Sequence, residues 1–167
     1  MAQNLELKIK LDSPKIVESI LKQNNVPLSE TLHQEDIYYS IKKGLLKLRI
    51  EGNSYSLIKY LRDESGKNRW SNFDIIQLTG GDAEKFLSGI FTVETIVKKT
   101  RKLYWLFNTR IHIDQVERLG DFLELETIVD GNQDDAKYRF DKVIKTLNLD
   151  TDNQIRCSYR DLLLEKK

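Results

Sequence analysis

Asn4-Leu5-Glu6-Leu7-Lys8-Ile9-Lys10-Leu11, near the start of the chain, alternates polar and aliphatic residues without interruption. Successive side chains of a strand point to opposite faces, so the four polar residues share one face and the four aliphatic residues the other. A strand at the surface of a sheet has this pattern. Because similar charge-bearing strands recur along the chain, however, the charged faces need a common explanation.

The composition limits the classes of protein to which the chain can belong. Its 167 residues suffice for one domain, residues 1–167, with a sizeable core. Charged residues make up 32% of the chain but leave a net charge of only +1, which argues against nucleic-acid or membrane binding. The single cysteine, Cys157, excludes an internal disulfide and fits a reducing compartment. We also expect no membrane span and no cleaved leader, and therefore a cytoplasmic monomer or homodimer.

Short alternating segments joined by hairpin-length turns predict seven or eight strands. Residues 45–51 and 55–61 flank Gly52-Asn53, a typical hairpin turn. Helical spacing predicts a helix after Pro14, a short helix capped by Asp82, a long helix over 133–147 and a short helix or turn over 159–164. Further strands are predicted over 33–39, 69–78, 95–107, 110–116 and 121–129. Because short connections favour antiparallel neighbours, the fold class is α+β with a large antiparallel sheet or barrel.

The charged faces of these strands have two possible arrangements. In the first, they face water and form solvated ion pairs that each contribute little. In the second, the sheet closes, helices cover its outside and the charged faces line a bore. Small barrels normally fill their interior with side chains, so a charged bore requires a charged ligand. The basic residues concerned are Lys8, Lys10, Lys47, Arg49, Lys59, Arg69, Lys99 and Arg101, and the acidic residues are Glu6, Asp114, Glu124 and Glu126.

The second arrangement predicts a particular ligand chemistry. Closely spaced lysine and arginine side chains suit a polyanion such as a polyphosphate, because each can donate to phosphate oxygens. Carboxylates in the same cavity would repel that ligand unless a divalent cation lay between them, and glutamate oxygens suit Mg²⁺ or Mn²⁺. We expect His112, in contrast, to be a wall or core residue.

Several motifs occur in the order typical of one protein family. The motifs are Asn4-x-Glu6-x-Lys8, Asp36-Ile37-Tyr38, the Leu-x-Leu-Arg strand ending at Arg49, Lys59, Lys99-x-Arg101, Asp114, Leu119-Gly120-Asp121-Phe122-x-Glu124-x-Glu126 and Ser158-Tyr159-Arg160. With them the chain resembles the CYTH domains, or triphosphate tunnel metalloenzymes, which include class IV adenylate cyclases, thiamine triphosphatases and inorganic tripolyphosphatases. The closing motifs favour the class IV cyclase-like branch.

The resemblance implies an eight-stranded antiparallel tunnel with flanking helices that binds a triphosphate substrate and Mg²⁺ or Mn²⁺. It implies metal ligation by Glu6, Glu124 and Glu126, and a catalytic set of Glu6, Lys8 and Asp114, with Asp114 orienting a basic partner or a water. The implied phosphate contacts are Lys8, Lys47, Arg49, Lys59, Lys99, Arg101 and Arg160, with Lys10 and Arg69 matched less firmly.

Two departures from the family pattern bear on activity. Asn4 stands where the signature has its first glutamate, and the segment after Arg69 has no acidic residue closer than Asp74. We expect hydrolysis of the terminal phosphoryl group of a nucleoside, thiamine or inorganic triphosphate. The alternatives are an adenylate cyclase that makes cyclic AMP and pyrophosphate from ATP, and a catalytically weakened polyphosphate- or nucleotide-binding module.

Overall fold

A computed structural model describes residues 2–63 and 66–167, apart from the side chain of Asp63. Glu64 and Ser65, in the predicted polar loop, lie outside the described residues. The strands are β1 (Ala2–Leu11), β2 (Glu30–Tyr39), β3 (Leu45–Glu51), β4 (Ser54–Asp63), β5 (Arg69–Leu78), β6 (Val93–Leu106), β7 (Thr109–Val116) and β8 (Gly120–Ile128). The helices are α1 (Lys15–Gln23), α2 (Ala83–Ser88), α3 (Gln133–Leu147) and α4 (Tyr159–Glu165).

The eight strands close into an antiparallel barrel. Their order around it is β1-β5-β4-β3-β2-β6-β7-β8, and β8 pairs with β1 to complete the circle. The predicted α+β class is therefore confirmed, with the sheet closed into a barrel. The turn between β3 and β4 contains Gly52 at φ 55°, a left-handed conformation in which glycine is the least strained residue.

The first strand shows how the barrel is arranged. Its aliphatic residues Leu5, Leu7 and Ile9 belong to a buried cluster that includes residues of α1 and α3, among them Val143. Its polar residues Asn4, Glu6 and Lys8 point the other way, into the barrel. Two helices thus cover the apolar outer face of this strand, and its charged face lines the interior.

Helix α4 covers one end of the barrel. Tyr159 and Leu163 pack in one cluster with Val97, Val116 and Phe122. The helix begins at a capping box, in which the Ser158 hydroxyl accepts from the Asp161 backbone N–H and the Asp161 carboxylate accepts from the Ser158 backbone N–H. This cap fixes where α4 begins and therefore holds Tyr159 against the barrel interior.

The packing of helices on the barrel surface can be tested by removing one side chain. Leu123 is fully buried in the cluster between barrel and helices, so Leu123→Ala should lower the free energy of unfolding by about 2–5 kcal/mol. Ile16→Ala on α1, whose side chain is 71% exposed, should change it by less than about 0.5 kcal/mol. Urea denaturation followed by circular dichroism measures both, and equal effects would contradict the arrangement.

Candidate active site

The barrel encloses a cavity of about 290 Å³ with a strongly charged wall. We call it the charged cavity. Eight cationic side chains and four carboxylates line it, an excess of four positive charges when all are ionised. The cations are Lys8, Lys47, Arg49, Arg62, Arg69, Lys99, Arg101 and Arg110, and the carboxylates are Glu6, Glu51, Glu124 and Glu126.

Asp36, on β2, holds three of these cations in place. Lys47 and Lys99 donate to its Oδ2 at 2.9 and 3.0 Å, and Arg49 donates to Oδ1 at 2.7 Å and to Oδ2 at 2.8 Å. Burial alone would raise the pKa of the Asp36 carboxyl, but the three cations outweigh it and hold that pKa well below its ordinary value. Asp36 is therefore an anion that cannot fully neutralise its three partners.

Burial lowers the pKa of several lysines in this wall. The pKa of Lys47 falls to about 7, because burial and the nearby charge of Arg49 outweigh the attraction of Asp36. Burial also lowers the pKa of Lys99 and of Lys8. These ammonium groups are costly to keep charged inside the barrel, and a bound anion would favour their protonated forms.

Asp114, on β7, organises a neighbouring part of the barrel wall, two strands from Asp36. Arg101 donates to its two oxygens, from Nε at 2.7 Å and from Nη2 at 2.6 Å, and the Tyr159 hydroxyl donates to Oδ2 at 2.8 Å. Asp114 is fully buried behind Arg101 and does not line the cavity. It contacts a basic partner, the first of its two expected roles, and would act on a ligand only through that partner.

Two carboxylates on β8 project into the cavity beside cations. Lys8 lies 3.1 Å from Glu124 Oε1, and Arg101 donates to Glu124 Oε2 at 2.6 Å. Burial raises the pKa of Glu124, but these two cations outweigh it and hold that pKa well below its ordinary value. The pKa of Glu126 is lowered to about 2, because nearby cations including Arg110, at 3.1 Å, outweigh burial. Both carboxylates are therefore ionised at neutral pH.

Glu6 differs from the β8 carboxylates. Its nearest cations are more distant, Arg62 at 3.6 Å and Arg69 at 3.9 Å. Burial raises its pKa, and the charges of Glu126 and Glu124 raise it further. Glu6 thus takes up a proton more easily than either of the two β8 carboxylates.

His112 completes a compact group with the two β8 carboxylates. One potential ligand atom from each of His112, Glu124 and Glu126 lies within 4.8 Å of the others. We call this group the His–Glu cluster. Burial and the charge of Arg101 lower the pKa of His112 to about 4, so its imidazole is neutral near pH 7. Neutral imidazole and carboxylate are ligands that divalent ions take, so these residues fit a divalent cation.

Most of the predicted site residues face the charged cavity. These are Glu6, Lys8, Lys47, Arg49, Arg69, Lys99, Arg101, Glu124 and Glu126. Glu6, Glu124 and Glu126, the three predicted metal ligands, share one region, since β1 pairs Glu6 with Glu126 and Lys8 with Glu124. Glu6 is nevertheless outside the His–Glu cluster.

Three predicted phosphate contacts do not line the cavity. Lys59 is exposed on the outer face of β4, since its neighbours Ile58 and Tyr60 point inward. Lys10 lies at the end covered by α4, where its ammonium donates to the Leu119 carbonyl and sits over the Phe122 ring. The placement of both in the tunnel is wrong.

Arg160 is also directed away from the cavity. Its guanidinium pairs with Glu94 and with the adjacent Asp161, outside the cavity wall. The prediction that it reaches a bound phosphate is therefore wrong for this arrangement. Asp74 is exposed on the outer face of β5, paired in register with Lys59, so it does not supply the missing carboxylate.

Sequence reasoning missed two arginines of the wall, Arg62 and Arg110. Arg110 alternates with His112 and Asp114 on β7, so the period of two could have found it. Arg62 shares the inner face of β4 with Ile58 and Tyr60, which are not charged, so the polarity of that strand gave no such signal.

Asn4 faces the cavity beside one of these arginines. When the Asn4 side-chain amide is oriented so that its oxygen and its nitrogen both have hydrogen-bond partners, the oxygen accepts from Arg110 at 3.0 Å and the nitrogen donates to the Gln3 carbonyl. Ser71 lies opposite Asn4 on β5. This part of the wall therefore holds two neutral side chains, and the carboxylate beside Arg110 is Glu126 on β8.

The CYTH domain model matches residues 2–159. The chain belongs to the CYTH domain family. A protein of Methanocaldococcus jannaschii named "Putative adenylate cyclase" is 32% identical over 173 residues, which cover 95% of this chain and 97% of that protein.

CYTH-like architecture also recurs in solved structures. A conserved hypothetical protein of Pyrococcus furiosus matches with a TM-score of 0.79 and 26% identity, over 95% of this chain and 99% of its own. A Hippeastrum protein, named an adenylyl cyclase and described as having a dominant triphosphatase activity, has a TM-score of 0.68 at 13% identity over 98% of this chain and 96% of its own. Among the described residues of our chain, no helix is long and apolar enough to cross a membrane.

The role of Asp36 predicts a large loss of stability when its charge is removed. Asp36→Asn leaves three buried cations without their anion and should lower the free energy of unfolding by about 3–5 kcal/mol. Glu35→Gln is the matched control, since Glu35 is half-exposed and lies 3.6 Å from exposed Lys98, a pair worth at most about 1 kcal/mol. Chemical denaturation of both variants measures the difference, and similar losses would contradict the role of Asp36.

The lowered pKa of Lys47 predicts proton uptake on anion binding. At pH 8 the free protein holds Lys47 mostly neutral, and a bound polyanion raises its pKa, so binding should take up a proton there. The arginine in Lys47→Arg stays charged throughout, so binding by this variant should take up fewer protons, by as much as about one. Calorimetry of tripolyphosphate binding with EDTA, in buffers of different ionisation enthalpy, measures this difference. Equal uptake by both proteins would contradict the assignment.

Proposed function

We propose that this CYTH protein is a metal-dependent triphosphatase that binds a triphosphate in the charged cavity and hydrolyses its terminal phosphoryl group. The observation that carries this proposal is the cavity itself, in which an excess of cations and a compact group of ionised carboxylates lie within one closed barrel. Neither set alone points to this chemistry, since cations alone suit any anion and carboxylates alone suit any cation.

Phosphate binding is proposed for the cations that Asp36 and Asp114 hold in place. Lys47, Arg49 and Lys99 converge on one carboxylate and retain surplus positive charge. Arg101, two residues from Lys99 on β6, is oriented by two buried contacts with Asp114. Fixed donors of this kind favour a polyanion of high charge density, because they are oriented before the ligand enters and little ordering is needed on binding.

Metal binding is proposed for Glu124 and Glu126, with Glu6 close by as predicted from the sequence. A bound Mg²⁺ or Mn²⁺ would supply charge neutralisation for the phosphate oxygens. The carboxylates would then face a cation instead of the substrate's negative charge.

Hydrolysis requires an attacking water and an acceptor for its proton. Water adds to the terminal phosphorus, and the bond from that phosphorus to the bridging oxygen breaks. The products are orthophosphate and a diphosphate that keeps the bridging oxygen. We assign the proton to Glu6, because the pKa of this carboxyl is raised and it lies outside the His–Glu cluster. Lys8, between Glu124 and the Tyr159 ring, would stabilise negative charge on the reacting group.

An adenylate cyclase is the second candidate, and apolar side chains in the cavity favour it. Leu32, Ile58, Phe73, Ile75 and Leu103 line the cavity together with the charges, which would suit an organic group attached to the triphosphate. The Methanocaldococcus relative carries a cyclase name. In that reaction the ribose 3′-hydroxyl of ATP attacks the α-phosphorus and pyrophosphate leaves.

A weakened binding module is the third candidate, and Asn4 motivates it. Asn4 is a neutral amide where the family signature has its first glutamate, and Ser71 lies opposite it, so this region has one carboxylate fewer, and Glu126 is the carboxylate that pairs with Arg110 there. If metal binding is limiting, Asn4→Glu should raise turnover from near zero. Robust turnover by the unmodified protein would rule this candidate out.

Phosphorus NMR separates the three candidates in one experiment. The protein is incubated with Mn²⁺ or Mg²⁺ and with ATP, thiamine triphosphate or tripolyphosphate. The triphosphatase should release orthophosphate, and Glu124→Gln should slow it by at least about a hundredfold, a loss typical of removing a group that stabilises charge at the reacting centre. Cyclic AMP with pyrophosphate would contradict the triphosphatase and support the cyclase, and no product at all would support the binding module.

Two lysines of one sheet provide a matched test of where phosphate binds. At a hundred times its dissociation constant, tripolyphosphate should stabilise the wild-type protein by about 2.7 kcal/mol. Lys99→Met, in the cavity wall, should lose most of this gain, whereas Lys59→Met, on the outer face, should retain it. Thermal unfolding with and without ligand measures the gain, and an equal loss in both variants would place the anion outside the cavity.

A cytoplasmic location and a monomeric or homodimeric state stay predictions from the sequence, as does the single-domain assignment of residues 1–167.

A further inference from the structure

We propose that His112 is a nitrogen ligand of the divalent cation in the charged cavity. The site would then be a mixed imidazole–carboxylate centre that prefers a first-row transition ion such as Mn²⁺ to Mg²⁺. This inference rests on the proposed function, which places a divalent cation at Glu124 and Glu126. It reverses the expectation from the sequence that His112 only packs in the wall.

The spacing within the His–Glu cluster fits one ion. Metal bonds to imidazole nitrogen and carboxylate oxygen are about 2.0–2.2 Å long, so two ligand atoms of one ion lie at most about 4.4 Å apart. His112 Nδ1 and Glu126 Oε1 are 4.0 Å apart, within this limit. The widest pair in the cluster is within 4.8 Å and needs to close by only a few tenths of an ångström.

The Nδ1 atom of His112 is the independent observation that points to a ligand. The residue is 4% exposed, and among the described residues this nitrogen has no hydrogen-bond partner. Its distance to Glu126 is too long for a hydrogen bond. Buried polar atoms are nearly always satisfied. A cation between His112 and Glu126 would satisfy this nitrogen, whereas a purely packing role leaves it unexplained.

The backbone fixes the relative positions of these ligands. β7 and β8 pair in register, with His112 opposite Glu124 and Arg110 opposite Glu126. The ligands therefore sit on two adjacent strands of a closed barrel, not on loops. Their contacts with Lys8, Arg101 and Arg110 orient the carboxylates without using all their lone pairs, since an ionised carboxylate has about four acceptor sites.

The nitrogen donor is the reason for the expected preference. Mg²⁺ takes oxygen ligands and keeps much of its water, whereas imidazole suits transition ions. Loss of the imidazole should therefore weaken binding of Mn²⁺, Co²⁺ or Zn²⁺ much more than binding of Mg²⁺. This difference separates a ligand from a residue that merely supports the fold.

The test measures metal binding by the full chain without substrate. Mn²⁺ binding is followed by electron paramagnetic resonance, and Mg²⁺ by its competition with Mn²⁺. His112→Phe retains a ring of similar size without a donor atom, and it should weaken Mn²⁺ binding by about tenfold or more and Mg²⁺ binding by less than about threefold. His33→Gln is the control, since His33 is exposed and its Nδ1 contacts Thr100 on the outer surface. It should change neither affinity.

A second measurement reads the imidazole directly and needs no change at His112. The chain has two histidines, so the His33→Gln variant leaves only the signals of His112. Nitrogen NMR should show the Nδ1 resonance of His112 shift on stoichiometric addition of Zn²⁺. An unchanged resonance with Zn²⁺ bound would overturn the inference, as would equal losses of Mn²⁺ and Mg²⁺ affinity in His112→Phe.

The outcomes distinguish this inference from the proposed function. If Zn²⁺ binds through His112 but no triphosphate is hydrolysed, the inference stands and the triphosphatase proposal fails. If orthophosphate is released and His112→Phe leaves the relative affinities for Mn²⁺ and Mg²⁺ unchanged, the function stands and the inference fails.

Discussion

The burial of charge inside a closed barrel is the constraint on which this structure depends. Helices cover the aliphatic outer face of strands such as β1, whose polar face points inward. Charges removed from water are costly unless they are paired. Asp36 and Asp114 meet this requirement on β2 and β7, the two strands that flank β6 in this wall, and each fixes the position of the cations around it.

This pairing is incomplete, because the cations that line the cavity outnumber the carboxylates. Asp36 serves three cations, and Glu124 lies between Lys8 and Arg101. The lowered pKa values of the buried lysines have the same origin, because burial disfavours their charged forms. A polyanion with a divalent cation would complete the pairing. Stability, protonation and ligand binding are thus consequences of one arrangement of charge.

The sequence predicted the parts of this arrangement that depend on local periodicity. The alternation of Glu124 and Glu126 placed both on one face of β8, and the helix over residues 133–147 followed from its apolar stripe. The predicted inner face was wrong on β4, where Ile58 and Tyr60 point inward and Lys59 lies outside. Polarity alone could not say which face of that strand points inward, so Lys59 was chosen and Arg62 was missed.

Long-range geometry accounts for the other differences. Lys10 lies on the same face of β1 as Glu6 and Lys8. Only the packing of α4, however, determines that it lies at the covered end of the barrel. His112 was expected to pack in the wall because the other histidine, His33, is too far from it in the sequence pattern to suggest a shared metal site. Its proximity to Glu124 arises from the register between β7 and β8, and no short sequence motif predicts that register.

A crystal structure of the protein soaked with tripolyphosphate and Mn²⁺ tests the central claim most directly. We predict an anomalous manganese peak between Glu124 and Glu126, with phosphate density beside Lys47, Arg49, Lys99 and Arg101. A cavity that stays free of both ions at concentrations that saturate binding in solution, with the ligands on the outer surface, would contradict the account.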